Sequence, residues 1–173
     1  MPATPALDPY KADCGRCEAL CCVAHGHREG DGFPRAKPAD RACENLDLRS
    51  LRCRVFDRLE GEGFAVCRGY ECFGAGPQVT RWLRAGNQET DPGEVTRRFD
   101  DFRRLSRLRC LVAYMGRRPD LEEHPLHLGL AEIVIEYDRS GRLPSAQTIN
   151  ARLTAYPDLT REAIRAVGYG GTG

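Results

Sequence analysis

Lysine is nearly missing from this chain: only Lys11 and Lys37 occur, and the other 24 of its 26 basic residues are arginines. Arginine makes planar, bidentate contacts with carboxylates and phosphates, but so complete a skew reads as genomic base composition and carries little functional weight. A surplus of one sign of charge is missing too. The formal net charge is +1, which gives no electrostatic case for a bulk nucleic-acid or membrane-surface binder. No apolar run approaches the roughly 20 residues that span a bilayer. The opening residues Met1 to Tyr10 carry no basic segment followed by an apolar stretch, so no secretory leader is expected and the expected location is cytoplasmic. The sequence also lacks a Gly-x-Ser-x-Gly elbow, a Walker A loop and a glycine-rich methyl-donor motif. Gly74-Ala75-Gly76 has neither the third glycine nor the preceding apolar strand of a dinucleotide fingerprint, and reads as a turn. No internal repeat or pentapeptide period is present, and no catalytic site is legible.

Cysteine, by contrast, is abundant and unevenly placed. Eight of the nine cysteines fall in the first 72 residues, and four are compressed into Cys14-Gly-Arg-Cys17-Glu-Ala-Leu-Cys21-Cys22. Core-filling cysteines have no reason to cluster, whereas thiolates at short spacing hold zinc or an iron–sulfur cluster. In a reducing compartment such clusters are metal-binding or redox-active before they are disulfides. With Cys43, Cys53, Cys67 and Cys72 the chain offers eight candidate metal ligands, enough for two four-cysteine sites. Placed on a helix, Cys14, Cys17 and Cys21 share one narrow face, while Cys21 and Cys22 diverge by about 100° and so serve different metals or two sides of one cluster. The Cys-x2-Cys spacing suits zinc and iron–sulfur equally. The order Cys-x2-Cys-x3-Cys is the reverse of the radical-SAM pattern and argues against that chemistry.

Composition divides the chain near Pro77. Residues 1–77 are punctuated by glycine, proline and cysteine and cannot build a large core alone, which predicts a metal-stapled module. Residues 78–167 read as helical. Val79, Trp82 and Leu83 give a short apolar face. Gly93 to Gly116 then carries Val95, Phe99, Phe102, Leu105, Leu108, Val112 and Met115 at spacings of three and four. Leu126 to Tyr137 predicts another helix, although its β-branched run also suits a strand. Ser145 caps a helix through Leu153, and Thr160 with Glu162 opens the last one through Val167. Residues 168–173 read as a disordered tail. The expected fold class is mainly α: a small cysteine-rich module followed by a helical half.

The segments Cys14-x2-Cys17-x3-Cys21-Cys22, Cys43-Glu-Asn-Leu46, Arg52-Cys53-Arg-Val-Phe-Asp57-Arg58, Gly63-Phe64-Ala-Val-Cys67 and Tyr70-Glu71-Cys72-Phe73-Gly74-Ala75-Gly76 together resemble the CxxCxxxCC domains described as zinc- or iron-chelating. They are most similar to the cysteine-rich module that precedes the repeats in some bacterial pentapeptide-repeat proteins. The resemblance covers residues 13 to 80 and implies metal chelation, without implying a reaction. This chain lacks the repeats themselves, and His25-Gly-His27 does not belong to the pattern.

Two functions stand open. One is a metal-binding protein, zinc or iron–sulfur, with a structural or interaction role, whose helical half docks a protein partner or a second copy. The other is a redox-active iron–sulfur protein, oxidant sensor or metal-dependent enzyme. His25 and His27 could replace a thiolate but read first as loop residues, and His124 and His127 read as structural. Cys110, inside the long apolar stripe, reads as a small buried hydrophobe. The arginines of that helix read as a solvated face rather than a nucleic-acid site. Later helices should fold back over Phe99, Phe102 and Leu105.

Overall fold

The computed structural model describes residues 10–85 and 92–167; the leader and tail expectations fall outside these residues. The chain is mainly helical. In the first part a 3-10 turn at Cys14–Arg16 precedes α1 (Leu20–Ala24), and the two-residue strands β1 (Leu46–Asp47) and β2 (Arg52–Cys53) pair antiparallel, Leu46 opposite Cys53. A second 3-10 turn at Phe56–Arg58 leads to α2 (Ala65–Gly69). The helices α3 (Ala75–Ala85), α4 (Pro92–Gly116), α5 (Pro125–Ser140), α6 (Ala146–Thr154) and α7 (Pro157–Ala166) follow.

The central element is α4, which packs against α1, α3, α5 and α7. Its apolar stripe does what its period predicts: Phe102, Leu105, Leu108, Val112 and Met115 are buried in the main core, with Leu130, Ile133, Val134 and Tyr137 of α5. The β-branched run of α5 is helical because both ends are specified. His124 Nδ1 accepts the Leu126 N–H, Pro125 occupies the first turn, and Gly141 closes the helix at φ 66°. The same core takes in Leu20, Ala24 and Cys72, so the cysteine-rich part and the helices share one apolar interior. Val55, Leu59 and Phe64 form a separate small cluster under residues 43–68.

Three local expectations are corrected. First, the arginines of α4 do not all lie on a solvated face: Arg97 and Arg107 are exposed as expected, but two others are not. Arg98 and Arg109 are buried, and each is ion-paired: Arg98 donates to Glu94 and to the Gly141 carbonyl (2.6 Å), Arg109 to both oxygens of Asp138 (2.9 and 2.7 Å). Charged groups enter an interior only when so paired. Second, α7 begins at Pro157, whose fixed φ suits the first helical turn; Thr160 lies inside it and donates its hydroxyl to the Leu153 carbonyl (2.8 Å). Third, α3 starts at Ala75. The compositional change at Pro77 therefore falls within its first turn, where proline is tolerated, and only Gly74 belongs to the turn before it.

Candidate metal centre

The eight candidate ligands come from separate short elements. Cys14 opens the first 3-10 turn and Cys17 closes it; Cys21 and Cys22 lie on α1. Cys43 lies in a loop, Cys53 on β2, Cys67 on α2, and Cys72 in the turn before α3. All of them are free thiols, as is Cys110.

The fold gathers them into two adjoining neighbourhoods. In one, Cys17 and Cys72 face the bare backbone of Gly76. A Cβ there would stand 2.7 Å from Cys17 Sγ and 3.6 Å from Cys72 Sγ, so α3 approaches the sulfurs only because this position carries no side chain. Cys14, Cys17 and Cys21 lie close enough for each one's charge to act on the others, as do Cys17 and Cys72. In the second neighbourhood the Cys43 N–H donates to the Cys22 carbonyl (2.9 Å) and the Leu46 N–H to the Cys43 carbonyl (3.0 Å). Leu46 is the register partner of Cys53, and Cys67 feels the charges of Cys21 first, then of Cys43 and Cys53. The two neighbourhoods meet at Cys21 and Cys22, whose sulfurs are 4.0 Å apart.

Polar groups lie beside two of the sulfurs, the Leu20 amide and the Thr80 hydroxyl near Cys17 and the Gly74 and Gly76 amides near Cys72, and each favours a thiolate there. Thr80 is buried, and its oxygen accepts the Glu18 N–H (3.0 Å). Burial works the other way: it raises the thiols of Cys14 and Cys17 and pushes those of Cys67 and Cys72 up to about 11. Cys21 is raised first by its bond with Cys22 and then by desolvation. Without a neighbouring cation these thiols stay protonated at neutral pH, and a bound metal ion would invert that preference.

Backbone strain collects at the same places. The non-glycine residues with left-handed φ are Ala19, Asp40, Leu51 and Phe73, each within three residues of a candidate ligand. Each such conformation costs of order 1–3 kcal/mol and persists where the surroundings over-determine it, as at ligand sites. Two cations also face the sulfurs. Lys37 Nζ donates to the carbonyls of Val23, Pro38 and Arg41 and lies near Cys22 and Cys43. Arg52 donates to the Cys14 carbonyl (2.6 Å) and its charge reaches the Cys14 thiol.

Among the described residues, no three His, Cys, Asp or Glu side chains converge on one metal position. The sulfurs share neighbourhoods but are not turned onto a common point.

The histidines have other partners. His25 Nε2 is hydrogen-bonded to the Tyr70 hydroxyl (2.7 Å), and its ring packs on Phe102. His27 stacks on Phe33 at 3.8 Å. His124 caps α5, and His127 Nδ1 lies 2.6 Å from the Glu122 carbonyl oxygen. Cys110 is buried on α4. The supporting groups Thr80, Gly74, Gly76 and Lys37 carry no motif of their own; only the glycine pair is visible, and it reads as an ordinary turn.

No family model matches the chain, and no solved structure matches it. The chain is similar to a protein of Bacillus subtilis (strain 168) described as uncharacterized protein YybG, with 28% identity over 144 residues. That likeness covers 82% of this chain and 51% of the relative, so the chain spans about half the relative's length.

Proposed function

We propose that this chain is a metal-chelating module of the CxxCxxxCC kind, in which clustered thiolates bind zinc or an iron–sulfur cluster and thereby hold the cysteine-rich part against the helices. The observation that carries the reading is the gathering of eight cysteines from several short elements into two adjoining neighbourhoods, which meet at the Cys21 and Cys22 sulfurs 4.0 Å apart. The small apolar cluster of Val55, Leu59 and Phe64 supports the role assigned to the metal. Even with Leu46, four buried side chains are too few to order residues 43–68, and ligand bonds supply the missing free energy. The role is structural or one of interaction, with a protein partner or a second copy meeting the helical half.

The test is elemental analysis with an absorption spectrum of protein purified without oxygen. Zinc in stoichiometric amount with a featureless visible spectrum supports a closed, redox-silent site. Iron and sulfide with visible absorption move the function to a redox-active cluster protein. Protein that retains no metal, and takes up none on reconstitution under reducing conditions, refutes chelation.

A further inference from the structure

Cys21 and Cys22 are consecutive residues of α1, and their sulfurs are 4.0 Å apart. Both are free thiols; Cys21 is exposed and Cys22 half-buried. A sulfur–sulfur bond is about 2 Å long, so closing the pair asks each sulfur to move by only about 1 Å. A small oxidant in solution meets Cys21 first, with a second thiol already beside it. The helix that carries the pair is weakly specified. It has five residues, too few to hold together on local bonds alone, and it starts from Ala19, a non-glycine residue at φ 53° that offers no side-chain cap. What fixes α1 lies outside it. Leu20 and Ala24 are buried in the main core, the Ala24 carbonyl accepts from Arg103 (2.7 Å), and the Cys22 carbonyl accepts the Cys43 N–H (2.9 Å).

We propose that Cys21 and Cys22 are an oxidisable pair: a low-molecular-weight disulfide converts them to a disulfide between adjacent residues, and closure of that ring opens α1 and loosens its seat against α4. The step is thiol–disulfide exchange. The Cys21 sulfur attacks one sulfur of R–S–S–R, forming a mixed disulfide and releasing R–SH. The Cys22 sulfur then bonds to the Cys21 sulfur and displaces the second R–SH. The two cysteines together lose two electrons, the incoming disulfide gains them, and the two cysteine protons leave on the two R–SH. No metal takes part: the step needs only the two free thiols. A helix does not accommodate the ring. Successive helical side chains diverge by about 100°, whereas a disulfide brings its two Cβ atoms to about 3.5–4.5 Å. Residues 21 and 22 therefore leave helical dihedrals. The bond from the Cys22 N–H to the Ala19 carbonyl (2.8 Å) and the one from the Cys43 N–H to the Cys22 carbonyl are the first displaced.

The experiment treats the reduced full chain, shown by elemental analysis to be metal-free, with oxidised glutathione at a rising ratio to reduced glutathione. Remaining thiols are alkylated, and the tryptic peptide of residues 17–28, which holds Cys17, Cys21 and Cys22, is sequenced by tandem mass spectrometry. At the lowest ratio that gives any protein disulfide, Cys21 and Cys22 should escape alkylation together, in a peptide short of two hydrogens, with Cys17 still alkylated. Amide exchange in α1 should rise at the same ratio and return on reduction, while α5 keeps its protection. Cys22→Ser should stop at a glutathione adduct on Cys21 with α1 still protected. A first disulfide that joins Cys21 or Cys22 to any other cysteine overturns the pair, as does a wild-type chain that stays reduced or stops at the adduct. Closure with unchanged exchange in α1 overturns the opening of the helix. None of these outcomes bears on chelation, which metal uptake decides separately.

Discussion

Gly141 is where three helices are locked together, and Gly141→Ala measures how tightly. The residue ends α5 at φ 66°, its N–H donates to the Tyr137 carbonyl (2.8 Å), and its own carbonyl accepts from Arg98 (2.6 Å). An added Cβ would lie 2.5 Å from Trp82 Cδ2, with Cε2 at 2.8 Å and Cε3 at 2.9 Å. Two costs combine. A left-handed alanine costs about 1–2 kcal/mol, and forcing a methyl against a packed ring costs about 1–3 kcal/mol. The stiffer unfolded chain offsets about 0.4–1 kcal/mol, leaving a net loss of about 2–4 kcal/mol. For a chain of this length that lowers Tm by about 5–15 °C. Urea unfolding followed by circular dichroism is the assay, with Gly69→Ala as control, since a Cβ there meets nothing within 4 Å. In a Trp82→Ala background the clash disappears and only the conformational cost should remain. A neutral Gly141→Ala, matching the Gly69 control, would refute the packing of α5 against α3.

Phe102 is 1% exposed in the main core, so Phe102→Ala should cost about 3–5 kcal/mol in the same assay; unchanged stability with lost self-association would make that face an interface. Cys110→Ala should leave metal content intact, and any loss of metal would bring α4 into the ligand set. Burial, aided by Arg103 and Lys37, pushes His25 down to about 4 from an ordinary 6.5. The folded state therefore binds fewer protons than the unfolded one between those values, and stability present above pH 6.5 is lost as pH falls toward 4. The loss due to this group is about 2 kcal/mol by pH 5, and a His25→Gln variant should show a correspondingly shallower acid limb between pH 7 and 5. Equal acid limbs would place His25 in contact with solvent.

The helices were legible because their signals are local and redundant. The periodic run read from Gly93 to Gly116 marks α4 to within a residue of its start, and Ser145 accepts the Thr148 N–H as its position before α6 predicts. The start of α7 was misplaced because Thr160 carries a capping side chain while Pro157 acts through φ alone. Arg98 and Arg109 looked solvent-facing because charge is read as exposure; their burial depends on Gly141 and Asp138, more than 25 residues away in sequence. The candidate ligands were legible as residue types. Their grouping was not, since the pairing of Cys22 with Cys43 and the meeting of Cys17 with Cys72 at Gly76 depend on turns of two to five residues whose left-handed positions are Ala, Asp, Leu and Phe. Of those types only aspartate is enriched in such conformations, so Ala19, Leu51 and Phe73 give no sign of them in the sequence.

The central claim is that ligand bonds, rather than apolar burial, order the cysteine-rich layer, and amide hydrogen exchange on metal-loaded and metal-free protein tests it most directly. On removal of metal, amides in residues 43–68 should lose protection while those of α4 and α5 keep theirs, because only the latter rest on the main core. Equal protection of residues 43–68 in a sample shown by elemental analysis to be metal-free would contradict the account.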